Sequence, residues 1–152
     1  MLRTKRSAGQ ALIWLTLMVP VFVSIAGLAI DGGVLLMSRR QLQSVVDGAA
    51  RAGATRLDTA RLRDSAGSEI QLDETGAADA ARAYLRDALG DATSAWQGPP
   101  DVQVDVGLTR VHVFMRASVR TAFLRIAHID AAPVEASAFA DVQYGIRDGG
   151  GG

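Results

Sequence analysis

Cysteine is absent from this sequence, which excludes disulfide staples and Cys-ligated zinc or iron–sulfur centres and is compatible with any redox compartment. Aromatic residues are scarce at 5%, although hydrophobic residues reach 49%. The apolar content is therefore mostly small and aliphatic, and a dense aromatic core is excluded. Net charge is also missing: sixteen Lys and Arg balance sixteen Asp and Glu, so no bulk field draws the chain to nucleic acid. With 152 residues there is chain for one small domain and too little for two ordinary enzyme domains.

Catalytic constellations are lacking too. No G-x-S-x-G, H-E-x-x-H or Walker glycine loop occurs, the spacings that supply an activated nucleophile, a zinc-binding pair or a phosphate cradle. His112 and His128 are the two histidines; one falls on the polar side of an expected strand and the other in a connector, so both read as solvated or structural. Asp73-Glu74 and the pair Asp64 and Glu69 fall in a polar loop and read as solvated surface. Trp14 reads as a lipid-facing or bundle-facing anchor, and Trp96, beside Pro99-Pro100, as a plug at the domain edge. No catalytic, cofactor-binding or metal-ligating residue is assigned. The chain is read as a non-enzyme with no cofactor, no small-molecule substrate and no nucleic-acid partner.

What is present is a composition suited to two solvents. Arg3, Lys5 and Arg6 open the chain, and the 24 residues from Ser7 to Ile30 then carry no charge. From Asp31 onward come 13 basic and 16 acidic side chains, so a +3 head is offset by a −3 remainder. The stretch ALIWLTLMVPVFVSIAGLAI, Ala11 to Ile30, spans roughly 30 Å as a helix, the thickness of a bilayer's hydrocarbon core. It is read as a transmembrane helix, because inside lipid each peptide group must be satisfied within its own segment. Pro20 leaves the Thr16 carbonyl unpaired and is expected to bend the rod; the Thr16 hydroxyl or a neighbouring helix is expected to soften that cost. Three positive side chains precede the span, whereas Arg39 and Arg40 follow it with Asp31 beside them. This places the N-terminus in the cytoplasm and the bulk of the chain outside. A cleavable secretory signal is the alternative, with a small-x-small site at Ser24-Ile25-Ala26 that would release a soluble binding module. The apolar run exceeds the ~7–15 residues usual for such a signal, which favours the anchor.

Beyond Asp31-Gly32-Gly33, apolar residues at Leu35, Leu42, Val46, Ala49, Gly53 and Leu57 fall at helical spacing, widened by Val45, Ala50 and Ala54. Arg39, Arg40, Asp47, Arg51 and Arg56 interrupt the stripe, so this segment lies in water, either continuing the membrane helix or following a hinge at the glycine pair. Ala49 with Gly53, and Ala50 with Ala54, form small-xxx-small pairs that let another helix or sheet approach, in the first instance an element of the same domain. Asp31 sits at the outer rim of the span. It either marks where water begins or pairs with a basic group on a neighbouring subunit, since a lone carboxylate at that depth is costly. Arg39 and Arg40 lie too far along the helix to be its i+4 partners.

The residues between Asp58 and Gly76 are polar and predict a fraying helix end and a loop. A second helix is predicted from about Ala77 to Leu89, capped by Thr75 and stopped at Gly90. The period then changes. Val102, Val104 and Val106 alternate with polar residues, Gly107 breaks the run, and Val111, Val113, Met115, Ala117 and Val119 alternate again, which predicts a hairpin. Phe123 to Ile129 is a connector with a helical turn, and Val134 to Tyr144 forms a third strand. Three strands with one apolar face need a cover, and the amphipathic helices supply it. The fold class is therefore α+β: a long N-terminal transmembrane helix, a second short helix and a three-stranded antiparallel sheet in a small soluble head. The boundaries are 1–6 for a basic cytoplasmic N-terminus, 7–30 for the span, 31–60 for the amphipathic helix, 61–145 for the extracytoplasmic head and 146–152 for a flexible Gly-rich tail.

The segment Gly9 to Ala54 resembles the N-terminal part of TadE/TadG-like proteins of the Tad (Flp, tight adherence) pilus system. The resemblance is carried by Gly9, the central Pro20, the Gly27-x-Ala29-x-Asp31 step, Arg39-Arg40-x-Leu42-Gln43, Asp47 and the closing Ala52-Gly53-Ala54. Gly9, Pro20, Gly27, Asp31, Gly33, Arg39, Arg40, Gln43, Asp47, Ala49 and Gly53 are the structural and assembly candidates. The resemblance implies a non-enzymatic inner-membrane protein, pseudopilin-like or accessory to assembly of an adhesion pilus, with its C-terminal part outside the cytoplasm. Its implied partners are the lipid bilayer, other Tad/Flp pilus or secretion-platform proteins, and copies of itself. Trp14 occupies the place where prepilin-type processing after Gly9 favours Glu, so an uncleaved, TadG-like anchor is the better match. No Asp-x-Ser-x-Ser metal motif is present, and metal-dependent adhesion is not implied.

Overall fold

The computed structural model describes residues 5–90 and 96–142. Its first element, α1, is a continuous helix Lys5–Ala54 of 50 residues, about 75 Å long at ~1.5 Å per residue. It passes through Gly32 and Gly33 without interruption, so the glycine pair is not a hinge. Pro20 lies inside the helix. The Thr16 hydroxyl donates to the Leu12 carbonyl at 2.9 Å and the Ser24 hydroxyl to the Pro20 carbonyl at 2.7 Å. Thr16 is thus engaged one turn before the break and does not relieve it, contrary to the sequence expectation.

Two helices follow. Asp58 caps the short α2 (Thr59–Asp64), its carboxylate accepting from the Ala60 and Arg61 amides at 3.1 and 3.0 Å. That cap turns what reads as a fraying end into a separate helix. Leu57, expected on the α1 stripe, lies beyond the helix and bridges to Leu72. The second principal helix, α3, is Glu74–Leu89 with Gly90 at its C-cap. It begins earlier than the periodicity suggested: Asp73 holds the N-cap position, and Thr75 is already inside the first turn.

The strands are β1 (Asp101–Val106), β2 (Arg110–Arg120) and β3 (Ala131–Asp141), antiparallel in the order β1-β2-β3. A 3-10 turn, Leu124–Ala127, lies in the β2–β3 connection. The expected third strand is found, ending at Asp141 rather than Tyr144; Tyr144 and the glycine tail lie outside the described residues. Val111, Val113, Met115, Ala117 and Val119 bury one face of β2, in register with Ala140, Ala138, Ala136, Val134 and Ala132 of β3. Against this face pack Leu42, Val45, Val46, Ala49 and Ala50 of α1 and Ala77 and Leu85 of α3. The alanines on β3 leave a shallow seat for α1, while the larger side chains of β2 fill the space between the two helices. Trp96 is buried and bridges to Val119, closing the sheet end as expected of a plug.

Candidate anchoring and assembly site

The candidates all lie on α1, and the structure divides them by the face they occupy. From Leu12 to Ile30 the large apolar side chains are exposed, among them Trp14, Leu15, Phe22, Ile25 and Leu28. A helix that is hydrophobic all round and uncovered belongs in an apolar medium or against another helix. Gly9 and Gly33 are open, with nothing near the place a side chain would occupy. Pro20 is exposed as well.

At Gly27 a second regime begins. Gly27, Asp31, Ser38, Leu42, Val46, Ala49 and Gly53 are buried, three or four residues apart along one face except across Leu35, which is half-buried, and buried Val45 and Ala50 widen the stripe. This stripe faces the protein's own head. A Cβ at Gly27 would fall 2.5 Å from the Phe123 ring, so only glycine admits that ring against the helix. One turn on, Asp31 is 2% exposed. Its carboxylate accepts three backbone N–H bonds, from Ala122 at 2.9 Å, Phe123 at 2.9 Å and Leu124 at 2.6 Å. Those amides open the 3-10 turn, where donors lack partners along the chain. Gly27 and Asp31 thus form a latch that fixes the β2–β3 connection to the stalk.

The cost of a carboxylate at that depth is thus met within the chain: three of its own amides satisfy Asp31 without a cation from another subunit. The Leu124 amide, opposed by burial and assisted by the Ala122 and Phe123 amides, holds the Asp31 carboxyl below its ordinary value.

The upper part of the stripe is a close-approach surface. Gly48 lies under the Tyr84 side chain of α3, where any Cβ would collide with the phenol. A Cβ on Gly53 would meet the Ala77 carbonyl at 3.0 Å and Val111 at 3.2 Å. Ala49 and Gly53 therefore serve the packing of α1 on its own α3 and β2. Gln43 donates to the Ser137 carbonyl of β3 at 3.0 Å and to Asp47 at 3.2 Å, tying the stalk to the sheet edge. Arg39 and Arg40 are exposed and form no ion pair among the described residues.

The opposite face of the sheet is polar and paired. Arg110 meets Asp141 at 2.6 Å and Arg116 meets Glu135 at 2.6 Å, both cross-strand register pairs. The Arg110 guanidinium beside Asp141 holds that carboxyl below its ordinary value. His112 stacks obliquely on Phe139 at 5.7 Å and lies 3.8 Å from Asp105. Among the described residues no three His, Asp or Glu side chains converge as metal ligands.

Sequence reasoning missed Phe123, Tyr84 and Ser137, the partners that give Gly27, Gly48 and Gln43 their roles. A signal for the first was present: Phe123, Leu124, Ile126 and Ile129 make the connector unusually apolar for a loop.

Residues 9–56, almost the whole of α1 with its two following residues, match the family described as putative Flp pilus-assembly TadE/G-like. The N-terminal segment is therefore TadE/G-like, and the match supports a role in pilus assembly. No curated protein and no solved structure matches the chain.

Proposed function

We propose that this protein is a membrane-anchored, pseudopilin-like or accessory subunit for assembly of a Tad/Flp-type adhesion pilus. The single observation that carries the proposal is that the matched segment coincides with a helix of two solvents. Its first half presents uncovered apolar side chains, and its second half is the spine of a folded head. The first half suits residence in lipid and later packing against other pilus components or copies of itself. The basic residues ahead of the span favour a cytoplasmic N-terminus in the inner membrane, with the head extracytoplasmic. In this reading the chain is a scaffold, and its partners are the bilayer and other Tad/Flp proteins.

The test is removal and restoration. Deleting the gene should abolish or sharply reduce pilus display and surface adhesion, and the intact chain supplied in trans should restore both. Normal piliation in the deletion strain would overturn the proposal. Mass spectrometry of the mature protein addresses the anchor separately: an uncleaved N-terminus is expected, and a mature chain beginning at Gly27 would mean a released binding module instead.

A further inference from the structure

We propose that the β2–β3 connection, residues 122–129, is a second membrane contact that inserts Ile126 and Ile129 into the lipid interface beside α1. The inference rests on α1 being a membrane anchor and adds that the head itself touches lipid. Three observations carry it.

The first is depth. The connection is fixed to α1 at Gly27 and Asp31. Gly27 lies about 4.5 Å, three residues at ~1.5 Å each, inside the end of the uncharged run. On the outward face of α1 the apolar surface continues past this level through Val34, Leu36 and Met37, the last 73% exposed. The first exposed charged side chains are Arg39 and Arg40. The one charge in between, Asp31, is buried under three amides. A boundary between lipid and water set by these side chains falls between Ile30 and Arg39, at or above the connection.

The second is what the connection presents. Ile126 is 81% exposed and Ile129 45% exposed, an uncovered apolar pair on a connection held against α1 at Gly27 and Asp31. Around them stand Arg120, Arg125, His128 and Asp130. Arg125 and Asp130 are only loosely paired at 3.9 Å and both well exposed. Apolar tips flanked by the exposed, charged side chains Arg120, Arg125 and Asp130 suit the boundary between acyl chains and headgroups.

The third is backbone satisfaction, which an element entering lipid requires. The Ala122, Phe123 and Leu124 amides go to Asp31. Those of Ile126, His128 and Ile129 go to carbonyls within the connection and that of Thr121 to the Asp130 carbonyl, and the Thr121 hydroxyl donates to the Ile129 carbonyl. Insertion would strip water from none of these eight donors.

The absence of native cysteine makes the test direct. Full-length Ile126→Cys, Ile129→Cys, Leu108→Cys and Leu17→Cys are each labelled with an environment-sensitive fluorophore and reconstituted in 3:1 phosphatidylcholine–phosphatidylglycerol vesicles. Quenching is read from lipids carrying a nitroxide high on the acyl chain and from aqueous iodide. Labels at 126 and 129 should lose roughly half their emission to the shallow lipid quencher and be shielded from iodide, as expected for insertion by ~5–10 Å. The label at 108, in the exposed β1–β2 turn at the far end of the head, should behave in the opposite way. Lipid quenching at 17 with iodide quenching at 126 and 129 overturns this inference and leaves the anchor intact. Iodide quenching at 17 overturns the anchor itself. Disulfide-linked dimers of the unlabelled Ile126→Cys protein on mild oxidation, with no lipid quenching of the labelled one, assign the patch to a second copy and likewise overturn it.

Discussion

Asp31 concentrates much of the molecule's chemistry in one side chain. Three amides converge on a buried carboxylate, bonds that are stronger than neutral ones because the acceptor is charged. Its depressed pKa makes the latch pH-dependent with a definite sign. The stabilisation is fully present above the ordinary carboxylate value of 3.8 and is lost as pH falls below it through the lowered value. Hydrogen exchange at Ala122, Phe123 and Leu124, corrected for intrinsic rates, should show constant protection from neutral pH to about 4 and a decline below. Asp31→Asn should lower that protection at neutral pH by at least roughly tenfold and flatten its pH response. Gly27→Leu should displace Phe123 and expose the same amides while leaving exchange at Val111 and Val113 unchanged, because the core lies further along the stripe. The sequence placed Gly27 and Asp31 in a motif and marked Asp31 as costly at its depth. It could not supply the partner, which lies 91 residues away on a connection with no fixed spacing to α1.

At the scale of elements, α1 has two halves, one with its apolar side chains uncovered and one packed on the sheet. Its head-bearing half depends on small residues, so enlarging them should cost more than trimming large ones elsewhere on the surface. Ala49→Leu should overpack the core under α1 and lower the urea stability of the head by about 1–3 kcal/mol, measured with α1 held in detergent micelles. Leu42→Ala, at a fully buried site, should cost about 2–5 kcal/mol through the cavity it leaves. The three strands were legible because alternation with period two survives in Val102 to Val106, Val111 to Val119 and Val134 to Ala140. α2 was not, because a six-residue helix has no room for a periodic stripe and rests instead on the Asp58 cap. Thr75 misled for the opposite reason: a residue suited to capping was carried into the helix when Asp73 took the N-cap position.

Viewed whole, the head is attached to its stalk at two places, the latch at Gly27 and Asp31 and the core from Leu42 to Gly53, and β2 runs back along α1 between them. The two attachments share one face only because the intervening residues complete nearly whole helical turns. Inserting a single alanine between Gly33 and Val34 should turn one attachment about 100° from the other. The cell's own proteases should then cut Ala122–Leu124 or the core in the resulting chain, whichever is released. A seven-residue alanine-rich insertion restores the facing and lengthens the interval by about 10.5 Å, so it should rescue neither attachment fully. The helix from Asp31 to Gly53, about 33 Å at ~1.5 Å per residue, works as a ruler matched to the eleven-residue β2, about 36 Å long. A force applied along the stalk is therefore transmitted straight to the base of the head, with no slack to absorb it.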